Sequence, residues 1–532
     1  VRAFAASVLG ATSFAAAFAL EPASAVPPQT WQSRVTAAVR YAETRAGTVS
    51  FAVVDEAGRL HGYHARAIAP SASVLKAMLL VAYLRRADVR DRPLQQWERD
   101  LLAPMIRRSD NHAATSMVGL VGDARLNALA RAAGMDHFRL HWPVWGESEI
   151  TPRGQALFFD RIDSLLPSRH RAYALHLLAT VVPSQRWGVG RVPHRGWRLS
   201  FKGGWGSGTG LVDHQVAQYT AGGERFSLAL FTRFNPNHEY GKETLRGLDA
   251  RLLAGVPRPG PRRPAVRRAA VDDGYLVTAG RGCSTLSIEP LGGSRHRYPT
   301  GATFCEGFRL ASAGPRALWS WRESGASRLA AASYGSPAVD DLGTFGGTNP
   351  LGRLAGGGQV LAYLHGGAVT RVAGPDCAVP GERLAAGAGR LAVASNGTIR
   401  VVDPGTCAVV GTLSAAGTVL TLAARQDLIA SLSEGRGGRL RIERFRISTG
   451  TRLGSTVVPR STLAALSLGR SWLLYRTPHS LGALAVGSGQ PWTLWRPRLS
   501  AVGGGTSGGR ALWLENYRGR ARAWSLRLPA AG

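Results

Sequence analysis

The chain has 532 residues, 45% of them apolar, with 65 Lys+Arg against 34 Asp+Glu and four cysteines. The length exceeds a single domain of ~100–200 residues, and the apolar share excludes a disordered chain. The net charge of +31 invites nucleic acid, but the basic residues are spread along the sequence rather than gathered on one element with interleaved aromatics, so nucleic acid is set aside; the charge reads as solvated arginine faces, with adhesion to an anionic cell-wall polymer or membrane surface as the alternative.

Residues 1–25 read as a secretory signal peptide: Arg2 supplies the basic start, 3–20 an apolar run, and Ala23-Ser24-Ala25 a cleavage site. A short membrane anchor is the other reading, and Pro22 with its small neighbours argues against it. The expected location is secreted or cell-envelope, extracytoplasmic in a bacterium. Residues 26–255 form a first domain. A helical pattern covers 30–45, strands cover 49–55 and 59–64, helices dominate 73–178, strands return at 197–202, 210–219 and 226–232, and a last helix covers 238–253. This order predicts an α/β domain: an antiparallel sheet covered on one face by the first and last helices, with a helical subdomain inserted. Residues 256–270 are rich in proline and arginine and read as a semi-rigid linker.

Residues 271–532 are short β runs and turns. Residues 358–372 align without gaps on 388–402 at an offset of 30, superposing Leu361 on Leu391, Gly367 on Gly397 and, further on, Cys377 on Cys407. Each copy is a β-hairpin turning at Gly366-Gly367 or Asn396-Gly397. Weaker copies begin near Leu276, Leu318, Ile429, Leu473 and Leu512. Seven such hairpins predict an all-β, propeller-like domain of seven blades, with six as the alternative; a β-sandwich would not carry the period. Four cysteines in an exported chain predict two disulfides. Proximity in sequence favours Cys283–Cys305 and Cys377–Cys407. The repeat counts against the second pair, because equivalent positions of adjacent units can exceed the ~7 Å Cα–Cα limit. No cysteine or histidine spacing suggests a metal site, and no cofactor is expected.

The chemistry lies in the first domain. Ser73 and Lys76 open a helix one turn apart, so they share a face. A serine at a helix start feels the positive end of the dipole, and a lysine made neutral by burial can take its proton. Ser109-Asp110-Asn111 follows, and then Lys202-Gly203-Gly204 on a strand. The chain has only three lysines, Lys76, Lys202 and Lys242, and two of them sit in these motifs. Lys242 reads as a surface residue of the last helix.

In this order, SxxK, SDN and Lys-Gly-Gly resemble the class A β-lactamase and penicillin-binding protein superfamily of serine hydrolases. The resemblance covers roughly residues 30–254. It implies Ser73 as acylated nucleophile, Lys76 as general base, Ser109 as proton relay to the leaving nitrogen, Asn111 as ligand of the substrate amide, and Lys202 as anchor of the substrate carboxylate. The backbone N–H groups of Ser73 and Trp205 would form the oxyanion hole, with Gly203 and Gly204 lining the substrate strand. The substrate implied is a β-lactam or a D-alanyl peptide-like amide or ester of peptidoglycan type.

The chain departs from the pattern in three ways. The Ser73-to-Ser109 spacing is short, Lys-Gly-Gly lacks the hydroxyl of Lys-Thr-Gly, and no Glu-x-x-Leu-Asn segment supplies a base for the deacylating water. Glu147 and Glu149 are the substitutes on offer, with Asp136 behind them; both glutamates also suit the start of the helix after Thr151-Pro152. An acyl-enzyme that persists is therefore expected. The alternative is a slow or inert penicillin-binding, wall-sensing protein in which the propeller binds an unknown protein or ligand. His112 reads as a helix-surface residue, Arg233 as a surface arginine, Trp205 as either cleft lining or sheet packing, and His137 and His141 show no metal spacing.

Overall fold

The computed structural model describes residues 30–529, apart from 207–209, 347–350, 358–359, 373, 375, 388, 497–500 and 508. The expected signal segment, residues 1–25, lies outside the described residues. The first domain runs through α1 (Trp31–Glu43), β1 (Thr48–Val54), β2 (Leu60–Tyr63), β3 (Ala69–Pro70), α2 (Leu75–Leu84), α3 (Gln96–Arg107), α4 (Asn111–Ala133), β4 (Phe138–Arg139), β5 (Glu149–Ile150), α5 (Pro152–Leu165), α6 (Ser168–Ala179), β6 (Arg198–Gly206), β7 (Val212–Ala221), β8 (Glu224–Arg233) and α7 (His238–Leu252). The long strands form one antiparallel sheet in the order β2-β1-β8-β7-β6, which leaves β6, the lysine strand, at an edge.

Alternation along the strands explains the layers. Phe51 and Val53 of β1 and Leu228 and Leu230 of β8 share one core with Trp31, Val35 and Ala38 of α1 and Leu245, Leu248 and Leu252 of α7. Their neighbours Ala52, Val54, Ala229 and Phe231 point the other way, into a core with α2, α4 and α5. The buried stripe on α1 (Trp31, Val35, Ala38, Ala42) has helical spacing, and Thr30 caps its start through the Ser33 amide. The first and last helices therefore cover one face, and the helical subdomain covers the other.

In the second region, the described residues form seven antiparallel sheets, six of four strands and one of three. The hairpins of the repeat are the second and third strands of these sheets, with second strands starting at Tyr275, Arg316, Val360, Arg390, Leu428, Trp472 and Arg510. The inner strands surround a channel of about 530 Å³. The ring closes at backbone distance: a Cβ on Gly503 of the last sheet would fall 2.3 Å from the Ala269 carbonyl oxygen of the first.

The linker expectation needs correction. Arg258–Pro264 is a strand, β9, paired antiparallel with Arg520–Arg527 as the outermost strand of the last sheet. The next strand, β10 (Val266–Asp272), opens the first sheet. The prolines are tolerated in β9 because no further strand needs its outward N–H groups. A composition that reads as a spacer is thus the clasp that joins the start of the ring to its end.

Both cysteine pairs favoured by proximity are bonded, with Cα–Cα distances of 5.2 Å for Cys283–Cys305 and 5.1 Å for Cys377–Cys407. The objection drawn from the repeat fails because, among the described residues, the third sheet has three strands rather than four. The chain after Ala368–Arg371 instead returns through a bridge between Val369 and Cys377, and Cys407 sits in a left-handed turn (φ 60°) between neighbouring strands. Two disulfides are consistent with an extracytoplasmic protein. Among the described residues no helix is long and apolar enough to cross a membrane. The Cys377→Ser/Cys407→Ser variant is expected to lose ~2–4 kcal/mol, read by denaturant unfolding against wild type.

The two regions share a core. Trp197, at the root of β6, lies 4.9 Å from Phe226 of β8, 5.3 Å from Trp524 and 6.3 Å from Trp495, centroid to centroid. Its indole N–H donates to the Pro257 carbonyl, and Arg496 donates its backbone N–H to Glu56 beside Trp31.

Candidate active site

Ser73 lies in a 3-10 turn, Ala72–Val74, that runs directly into α2. All ten residues of α2 are buried, as its almost wholly apolar sequence requires. Lys76 is the one charged residue in that helix and is fully buried, so its ammonium must find acceptors. It donates to the Ser109 carbonyl (2.5 Å), the Ser109 Oγ (3.2 Å) and the Asn111 Oδ1 (2.7 Å), and lies 5.0 Å from the centroid of the Trp145 ring. Burial pulls its pKa down to about 7, against a smaller opposing effect from Asp110.

Ser109 sits between α3 and α4 with φ 60°, a left-handed conformation unusual for serine. Asp110 then caps α4 by accepting from the Ala113 amide at 2.8 Å, so the tight reversal between the helices fixes where the serine hydroxyl points. Lys202 of β6 is also buried. It donates to the same Ser109 Oγ at 3.0 Å and to the Gly203 carbonyl at 2.7 Å, and burial followed by the charge of Lys76 lowers its pKa well below that of a free lysine.

Two lysine amino groups thus meet one hydroxyl oxygen. In their protonated forms they have no acceptor to offer, so the Ser109 proton is then available for a third group. Asn111 likewise spends its carbonyl on Lys76, which leaves its amide N–H₂ for a ligand, and its side chain is exposed to receive one. None of the three Lys76 hydrogen bonds goes to Ser73 Oγ; proton transfer from Ser73 requires the serine hydroxyl or the lysine tip to turn toward the other, a looseness common before substrate binds.

β6 crosses the start of the Ser73 turn at backbone contact. A Cβ on Gly204 would fall 2.8 Å from the amide nitrogens of both Ser73 and Val74. Gly204→Ala is therefore expected to push β6 off the turn and lower acylation ~10²–10³-fold, the loss that follows removal of one oxyanion donor; stopped-flow acylation with a chromogenic β-lactam reads it. Gly203 faces the other way, where a Cβ would lie 3.3 Å from the Trp187 ring. This packing explains glycine in place of threonine after the lysine. Trp205 packs against Trp187 (5.7 Å) and His238 (6.0 Å), so it supports the strand behind the site.

The glutamates part company. Glu147 ends the 3-10 turn Trp145–Glu147, close to the serine turn: a Cβ on neighbouring Gly146 would lie 4.0 Å from the Ala72 Cα, and Ser71 donates its N–H to the Ser148 carbonyl. Glu149 points into a separate cluster, with His137 at 2.8 Å, His141 at 3.3 Å and Arg139 at 3.9 Å. The hydrogen bond from His137 is the main cause of its lowered pKa; burial opposes it, and the hydrogen bond from His141 adds a smaller lowering. Asp136 accepts from Thr151, the N-cap of α5. His112 is exposed on α4, Arg233 stacks over Phe234, and Lys242 pairs with Glu239 on α7. Sequence reasoning missed Trp145 over Lys76 and the left-handed Ala72 (φ 42°) before the nucleophile; no spacing rule marks either.

Residues 93–254 match the model of the Beta-lactamase enzyme family, a stretch that carries Ser109, Asn111 and Lys202. Solved structures similar to the chain include the β-lactamase from Sphaerobacter thermophilus DSM 20745 (23% identity, 42% of this chain and 97% of that chain, TM-score 0.37) and an ancestral class A β-lactamase, GNCA (19% identity, 42% and 100%, TM-score 0.37). No curated protein matches the sequence. The likeness to the Beta-lactamase enzyme family thus rests on residues 93–254, which hold Ser109, Asn111 and Lys202 and end short of Ser73 and Lys76 on the N-terminal side.

Proposed function

We propose that the first domain is an exported serine acyltransferase that forms an acyl-serine at Ser73 with a β-lactam or a D-alanyl peptide-like amide or ester. The observation that carries this reading is the Ser109 hydroxyl held by both Lys76 and Lys202 beside a serine whose backbone touches β6. Neutral Lys76 takes the Ser73 proton as Oγ bonds to the carbonyl carbon. The N–H groups of Ser73 and Trp205 hold the resulting oxyanion. When the C–N bond breaks, the proton passes through Ser109 to the leaving nitrogen, which returns Lys76 to its neutral form. Lys202 attracts the substrate carboxylate, and Asn111 donates to the substrate amide. Among the described strands β6 is an edge strand, and its edge suits an extended, peptide-like substrate, which can add to it as a strand.

Hydrolysis of the acyl-enzyme is the weak step. Glu149 is committed to His137 and His141, so only Glu147 remains near the serine turn to activate water. This favours a long-lived adduct, the behaviour of a penicillin-binding, wall-sensing protein, with a seven-bladed propeller as the partner-binding module and its channel as the place for a ligand. The test is labelling with a fluorescent penicillin. Wild type is expected to be labelled and Ser73→Ala is not; label that survives Ser73→Ala contradicts the assignment.

A further inference from the structure

We propose that the cleft where the two domains meet is a binding site for a phosphodiester polyanion of the cell envelope. The cleft has a volume of about 560 Å³, and seven of its eighteen lining residues are arginines, several times arginine's share of the chain. Arg171, Arg198 and Arg225 come from α6, β6 and β8; Arg262 comes from β9, and Arg518, Arg520 and Arg522 come from the last hairpin of the ring. A charge dispersed along the sequence thus converges in one place in the fold.

Little answers that charge. The acidic residues in the lining are Asp163 and Glu224. Asp163 lies 3.7 Å from Arg225, which also pairs with Asp160 at 3.2 Å. Glu224 is buried and shares a hydrogen bond with Glu515 across the domain boundary. Burial, followed by the charge of Glu224, raises the Glu515 pKa, so the contact between the two carboxyl groups disfavours a second negative charge there. The Nε groups of Arg171 and Arg522 are buried with no protein acceptor among the described residues. Each of these guanidinium groups donates one Nη to a backbone carbonyl, Leu166 for Arg171 and Gly260 for Arg522, and guanidinium donors left over suit phosphate oxygens.

The site is shaped by both domains. The β7–β8 turn has Gly222 at φ 60° and Gly223 at φ 101°; a Cβ on the first would fall 2.8 Å from the Arg522 side chain, and on the second 2.6 Å from the Tyr517 ring. Tyr517 is the one aromatic residue in the lining; Gly223 lies against its ring, which stays partly exposed. Sequence-tolerant binding of single-stranded nucleic acid relies on a series of aromatic faces on which successive bases stack, and this cleft offers a single ring. Seven guanidinium groups exceed what one phosphate can use, so a chain of phosphates fits better than a free ion, and the two disulfides favour an envelope polymer. Arg198 lies four residues from Lys202 on β6, ~13 Å along a strand, so a bound polymer leaves Ser73 open. This inference is independent of whether Ser73 is acylated.

The full chain is titrated with poly(glycerol phosphate), with inorganic phosphate and with oligo(dT) of matched charge, over a range of salt concentrations. Arg198, Arg518 and Arg520 are exposed, so the triple change to Gln leaves the core intact; a control carries Arg297→Gln, Arg281→Gln and Arg439→Gln, also at exposed positions. The expected result is polymer binding weakened at least tenfold by the cleft variant, with the slope of log K against log salt shallower by ~2, less than twofold change in the control, and weaker binding of oligo(dT) and free phosphate. Equal weakening by both triple variants would show a diffuse charge effect and overturn the proposal. So would tighter binding of oligo(dT), which would indicate nucleic acid, or undiminished affinity for free phosphate, which would indicate a single-ion site.

Discussion

Lys76→Met is expected to lower the rate constant for acylation by a β-lactam ~10²–10⁴-fold, the contribution of a positioned general base, while the fold is kept. Met suits the apolar surroundings of α2; of the three acceptors it abandons, Ser109 Oγ keeps Lys202 and Asn111 Oδ1 keeps solvent, while the Ser109 carbonyl loses its lysine donor. The wild-type rate constant should carry the signature of this lysine. A base works when deprotonated, and burial places the Lys76 transition at about pH 7. The rate should therefore climb about tenfold per pH unit below that value and level off above it. Lys76→Arg separates charge from basicity, because a guanidinium stays protonated; activity near wild type in that variant would remove Lys76 from the role of base. Lys202 reinforces the effect. A carboxylate beside it favours its charged form, and that charge keeps Lys76 neutral at the moment it must accept a proton.

Trp197→Ala is expected to cost ~3–5 kcal/mol, the range for truncating a large buried aromatic. More telling than the magnitude is how the loss is distributed. Trp197 packs on Phe226 within its own domain and on Trp495 and Trp524 of the ring, and ties to Pro257 at the start of the clasp. With that junction intact, the chain should melt in one calorimetric transition. Without it, the ring and the first domain should separate into two. A variant that still melts in one transition at the wild-type temperature would show that the shared aromatic core does not couple the domains.

The candidate catalytic set was legible because the proposed chemistry imposes spacing: Ser73 and Lys76 sit one helical turn apart, and a chain with three lysines displays the two that fall in motifs. The hairpins were legible because the repeat keeps its turn residues, Gly366-Gly367 and Asn396-Gly397. Features that depend on long-range placement were not. Arg258–Pro264 has the composition of a spacer, and only its pairing with Arg520–Arg527 makes it a strand. Gly203 looks like a lost hydroxyl until Trp187 is found against it. Cys377 and Cys407 look too distant until the third sheet is seen, among the described residues, to have three strands rather than four. The arginines look evenly dispersed until the β7–β8 turn meets the last hairpin of the ring.

The acyl-enzyme at Ser73 is expected to form and to leave slowly. Mixing the intact protein with a small excess of benzylpenicillin, removing the free drug and following the protein mass with time tests this most directly. The expected result is one added penicilloyl group per chain, located on the Ser73 peptide and retained for hours. Rapid return to the unmodified mass, with many equivalents of drug hydrolysed per chain, would contradict it and would assign an efficient water base to the site.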